Sequence, residues 1–123
     1  MIDYDNIPDG LHAKQLRPYV KQALESTSAV SGREDILEVL ERFYELSLSY
    51  ANAYESPEPD LEDQISRYLL DHRSYDDPQI MELIFASALI FPLPQVREHI
   101  TGEAHEIRNA EVLYHMKRFW NEE

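Results

Sequence analysis

Two pairs of acids stand three residues apart on either side of a proline-containing break: Glu38 and Glu41, then Asp60 and Asp63. Carboxylates at that spacing on successive helices can share a magnesium ion. Magnesium takes oxygen ligands, and a nucleotide's phosphates can complete its shell. The helix wheel argues against such a site. Glu38 and Glu41 fall with Glu34 and Glu45 in an arc of about 60° opposite the apolar face, whereas a ligand set must face its partner helix. No cluster of Lys or Arg stands nearby to hold phosphates.

Histidines offer less. His99, His105 and His115 lie among Glu98, Glu103, Glu106 and Glu111. His105-Glu106 begins the zinc motif of two histidines four apart, but Asn109 occupies the second position. On a continuous helix His105 and His115 would point about 280° apart. Glu111 and His115 form an ordinary i,i+4 pair. Asp3, Asp5 and Asp9-Gly10 suggest a calcium loop, yet the closing glutamate is replaced by Lys14 or Leu16, depending on the start. The chain has no cysteine, which removes disulfides, thiol catalysis and cysteine-bound zinc. Three glycines cannot build a phosphate-cradling loop, and no Gly-x-Ser-x-Gly elbow is present. The expectation is no metal, no cofactor and no catalytic residue.

Glu38-x-x-Glu41 followed by Asp60-x-x-Asp63 loosely resembles the magnesium sites of the all-α nucleotide pyrophosphatases of the MazG type, over some 26 residues. That resemblance implies a Mg²⁺-dependent nucleotide hydrolase carried by those four acids. It is the second reading.

Charge supplies the first. The 123 residues hold 24 Asp and Glu against 11 Lys and Arg, a formal net charge of −13. Such a balance disfavours direct nucleic-acid and anionic-membrane partners, both of which attract surplus cations. The charge is uneven. Residues 33–82 carry fourteen acids and four bases, a net of −10, while the flanks carry −1 and −2. Five of the eight tyrosines, Tyr44, Tyr50, Tyr54, Tyr68 and Tyr75, fall in the same stretch. All but Tyr75 lie on inward stripes and suit core packing. Tyr75, in an Asp-rich loop, suits an interface, where tyrosine is a common anchor.

The elements that must hold these residues are helical throughout, with no alternating strand and no hairpin turn. Residues 1–10 read as an irregular lead-in. A first helical region covers about 11–26, split or restarted at Pro18. Ser31 and Glu34 form a capping box for a long helix over about 32–54. Its inner stripe is Ile36, Leu40, Phe43, Ser47, Tyr50 and Tyr54, widened by Leu37, Tyr44 and Leu48 on one side and by Val39 and Leu46 on the other. Asp60 should cap a helix reaching about Asp71, with Leu61, Ile65, Tyr68 and Leu69 inward. Asp77 and Pro78 start a helix over about 78–91 that is apolar all round and therefore buried. A short helix runs to about Ile100, with Thr101-Gly102 as its stop. A last helix is expected over about 103–120, with Ile107, Ala110, Leu113, Tyr114 and Trp120 inward. The fold predicted is a single all-α domain of five to six helices.

Met1-Ile2-Asp3-Tyr4-Asp5 has no basic or apolar signal character, and the longest apolar run, Ile80 to Leu93, is too short to span a bilayer. A cytoplasmic location is the default. The function expected is an acidic inhibitor that neutralises a basic protein partner, such as an immunity protein against a nuclease toxin or a nucleic-acid mimic that blocks a defence nuclease. The partner-binding residues would be Glu38, Glu41, Glu45, Asp60, Glu62, Asp63, Asp71, Tyr75, Asp76 and Asp77. A third reading is a structural adaptor in which helix 78–91 lies in an oligomer interface; monomer and homodimer both remain open.

Overall fold

A computed structural model describes residues 13–25, 32–52, 57–91 and 93–120. Six α-helices occupy them: α1 (Ala13–Glu25), α2 (Arg33–Asn52), α3 (Pro59–Asp71), α4 (Pro78–Ile90), α5 (Pro94–Gly102) and α6 (Ala110–Trp120). The expected all-α bundle is what forms. The described helices share one continuous apolar core.

Helix α4 organises that core. Ile80, Met81, Ile84, Phe85, Ala86 and Ala88 are buried, and of its apolar residues Leu89 alone stands well out of the core, 46% exposed. Apolar residues around its whole circumference need neighbours on several sides, and α2, α5 and α6 pack against it. Its start follows the sequence signal. Asp77 is extended (φ −116°, ψ 99°) and accepts the Ile80 N–H at 3.3 Å, with Pro78 in the first turn. Midway along the helix, Trp120 of α6 lies edge-on to Phe85, ring centres 4.8 Å apart, and its indole N–H donates to the Phe85 carbonyl at 3.0 Å.

The remaining helices close the sides. On α2 the buried residues are Val39, Leu40, Phe43, Leu46, Ser47 and Tyr50, while Ile36, Leu37, Tyr44 and Leu48 are half-buried. The buried stripe is therefore turned toward Val39 and Leu46. Phe43 meets Tyr68 of α3 edge-on at 5.4 Å, and Tyr50 meets Phe91 at 5.7 Å. Leu61, Ile65, Tyr68 and Leu69 of α3 are buried as expected, and α3 packs on α1 and α5. Ser31 and Tyr54 lie outside the described residues, as do the lead-in and the proposed calcium residues.

Three expectations need correction. Pro18 does not divide α1, which runs through it. The ring is on the exposed side, so the lost hydrogen bond faces water while Leu16, Val20 and Ala23 hold the helix to the core. Asp60 does not cap α3. Pro59 takes the first position, Glu58 becomes the extended N-cap residue, and Asp60 is an acid in the first turn, well placed for the helix dipole.

The last helix begins at Ala110 instead of near 103. Ala104–Glu106 forms a 3-10 turn, Ile107 is extended, and Asn109 accepts the N–H groups of Glu111 and Val112 at 3.0 and 3.1 Å. Ile107 is buried from extended backbone, so phasing the wheel from it rotates the inner face. Val112, Met116 and Trp120 are inside, Leu113 is half-buried, Ala110 is exposed and Tyr114 is 60% exposed.

Three substitutions test this packing. Trp120→Ala should destabilise the fold by about 3–5 kcal/mol, against under about 1 kcal/mol for Leu89→Ala. Pro18→Ala should stabilise it by about 1–2 kcal/mol, since the helix regains a backbone hydrogen bond at an exposed position. Urea unfolding monitored by circular dichroism checks all three.

Candidate functional site

The acids of residues 33–82 separate into two groups once the arginines are placed. On α2, Glu34, Glu38 and Glu41 are exposed and Glu45 is half-exposed, because Leu40, Phe43 and Ser47 take the opposite side. Glu38 pairs with Arg42 one turn on, at 2.6 Å. Glu41 and Glu45 make no ion pair among the described residues. On α3, Arg17 of α1 clasps the Asp60 carboxylate with both terminal nitrogens, at 3.1 and 2.7 Å, and reaches Glu58 at 3.2 Å. Asp63 pairs with Arg67 at 2.9 Å, and half-exposed Glu62 pairs with no cation among the described residues.

The loop between α3 and α4 repeats the division. Asp71 and Asp76 are exposed and make no ion pair among the described residues. Asp77 receives Arg33 of α2 through Nε at 2.5 Å and Nη2 at 3.1 Å, and the same guanidinium reaches Gln79 at 2.6 Å. Tyr75 is half-buried against the core, and its hydroxyl donates to Glu103 beyond α5. Arg73 also reaches Glu103, through Nε at 2.9 Å.

Of the ten residues singled out in the sequence, Glu38, Asp60, Asp63 and Asp77 are thus neutralised by arginines, and Tyr75 is held within the molecule. Glu41, Glu45, Glu62, Asp71 and Asp76 keep their charge toward solvent. Arg17, Arg33 and Glu103 did not emerge from the sequence as partners. Their mates lie 43, 44 and, for Arg73 with Glu103, 30 positions away, beyond the reach of any local spacing rule.

The four acids of the magnesium pattern do not converge. Among the described residues, no three or more of His, Asp or Glu are placed to hold a metal ion. Nor is any described helix long and apolar enough to cross a membrane. A shallow apolar cleft of about 370 Å³, lined by Ala88, Leu89, Leu93, Pro94, Arg97 and Trp120, lies apart from the acidic residues. The described part of the chain is thus an all-α bundle bearing an acidic, partly self-neutralised surface. Known protein families, curated proteins and solved structures provide no match to it.

Titration follows from this geometry. Hydrogen bonds from Arg17 lower the pKa of Asp60, those from Arg33 lower Asp77, and Tyr75 with Arg73 lower Glu103. Stability from these groups is present above the ordinary carboxylate range and is lost as the pH falls through it. Burial raises Tyr68 to about 12, and burial with the bond to Glu103 raises Tyr75 to about 12. Because the unfolded chain ionises first, stability is intact below the ordinary tyrosine pKa of 10.0 and falls as the pH climbs from there toward about 12. The Tyr68 hydroxyl is buried with no hydrogen-bond partner. Tyr68→Phe should accordingly leave stability at neutral pH unchanged or slightly higher, and reduce its loss at about pH 11. Urea melts of both proteins at the two pH values check this.

Proposed function

We propose that this chain is a small acidic binding protein that inhibits a basic protein partner by covering its cationic surface. The observation that supports this reading is the set of acids left over after internal pairing. Residues 33–82 hold −10 of the net −13, and their arginines are used within the fold. Glu41, Glu45, Glu62, Asp71 and Asp76 remain for an outside cation. Held on helices and a short loop, such carboxylates can occupy the places that phosphates take on a nucleic-acid-binding protein. The plainest form is an immunity protein for a nuclease toxin, and the close variant is a nucleic-acid mimic directed at a defence nuclease. Charge complementarity of this kind accelerates association and weakens steeply with salt.

Reversing Glu41, Glu45, Glu62, Asp71 and Asp76 together to Lys moves the formal net charge from −13 to −3 without removing an internal ion pair. The helical circular dichroism should survive, and capture of a basic protein from the source cells at about 0.1 M salt should be lost. Wild-type capture should also fail at about 1 M salt, where screening shortens to about 3 Å. A partner held equally well by the reversed variant, or no basic protein held by wild type, would overturn the reading.

A further inference from the structure

The loop from His72 to Asp77 brings Asp76 to the surface, beside half-buried Tyr75 and Asp77, with little backbone support. Its own backbone bonds are local, His72 N–H to Tyr68 at 3.2 Å, Arg73 N–H to Leu70 at 3.4 Å and Asp77 N–H to Ser74 at 2.9 Å. Ser74 N–H reaches only the Met81 sulfur at 3.3 Å, a weak acceptor. The end of the loop is fixed by Asp77, through Arg33 and the α4 cap. Between these ends, the strong tether is Glu103.

Glu103 sits just past α5, its N–H on the Ile100 carbonyl at 3.0 Å and its carbonyl accepting from Glu106 at 2.8 Å. Its side chain, 26% exposed, receives the Tyr75 hydroxyl, Arg73 Nε at 2.9 Å and Nη2 at 3.4 Å, with His99 Nε2 at 3.5 Å. Arg73 in turn donates from Nη1 to the Leu70 carbonyl at 2.6 Å, near the end of α3. One carboxylate thus joins α3, the loop and α5. Charge-assisted bonds of this type are stronger than neutral ones, and here they act where backbone pairing is sparse.

We propose that Glu103 is the positioning residue of the 72–77 loop, and that this loop presents Asp76 in the conformation a basic partner recognises. The first half stands on the contacts just described; the second rests on the acidic-surface reading. Glu103→Gln keeps an acceptor for Tyr75 but removes the charge opposite Arg73, and Glu103→Ala removes both. Asp76→Asn removes the presented charge and leaves the tether intact.

Amide exchange across residues 73–76 and trypsin cleavage after Arg73 read the loop without reference to any partner. In Glu103→Ala both should rise by about tenfold or more, with a smaller rise in Glu103→Gln, while helices α2 and α4 keep wild-type protection. Release of the captured basic protein should be faster in Glu103→Ala and in Asp76→Asn, with wild-type loop protection in the latter. Loop protection unchanged in both Glu103 variants overturns the positioning role. A loosened loop with unaltered release overturns the recognition role alone. If wild type captures no basic protein, or Asp76→Asn releases it as wild type does, the recognition role fails, while the tether is still decided by exchange.

Discussion

Burial of α4 is the constraint on which the rest of the structure depends. A 13-residue helix with apolar side chains on every face cannot be left at a surface, because each exposed Leu, Ile or Phe would forfeit roughly 1.5–3 kcal/mol of transfer free energy. It must be covered along its length. Helix α2 covers one side, α6 another, and α5 closes around the C-terminal end beyond Phe91. Trp120 completes the enclosure by filling space against Phe85 while its single polar atom is satisfied by a carbonyl. Asp77 works at the other end, capping the helix and drawing in Arg33 of α2.

That enclosure decides where charge can go. With the apolar residues of α2 and α3 committed to the core, their acids are left on the outer sides, and helix spacing makes them neighbours. The chain's arginines then act as stitches between elements: Arg17 joins α1 to α3, Arg33 joins α2 to α4, Arg73 joins the α3–α4 loop to the end of α5, and Arg118 joins α6 to Glu82. Partly exposed pairs of this sort add little stability individually. Their larger effect is to cancel charge at chosen places. What is left is a set of isolated carboxylates on α2, α3 and the connecting loop, with the basic residues largely spent.

Much of this was legible in the amino-acid order, for reasons that are local. Asp77-Pro78 carries a helix start within two residues, and the 3.6-residue period of Leu61, Ile65, Tyr68 and Leu69 marks a buried stripe without reference to any other element. The failures have local causes too. Asp60 resembles a cap until Pro59 is seen to have taken the first helical position and moved the cap to Glu58. Ile107 looks like the start of an inner stripe, but it is buried from extended backbone, and the helix proper waits for Asn109. Pro18 predicts a break that packing of Leu16, Val20 and Ala23 overrides, since the missing hydrogen bond faces water.

The concentration of acid between residues 33 and 82 follows from the sequence alone, as do the helical class, the buried character of α4 and the absence of thiol chemistry. Composition and periodicity suffice for these, because each depends on residues close together along the chain. The pairs Glu38–Arg42 and Asp63–Arg67 follow the i,i+4 spacing of a helix, but the neutralisation of Asp60 and Asp77 was decided only in three dimensions. Asp60 and Glu62 look nearly alike in sequence, yet the first meets an arginine and the second, among the described residues, does not. For Asp60 and Asp77 the arginine comes from more than forty residues away. Coulomb attraction depends on distance in space, and no local spacing rule encodes the approach of residues so far apart along the chain.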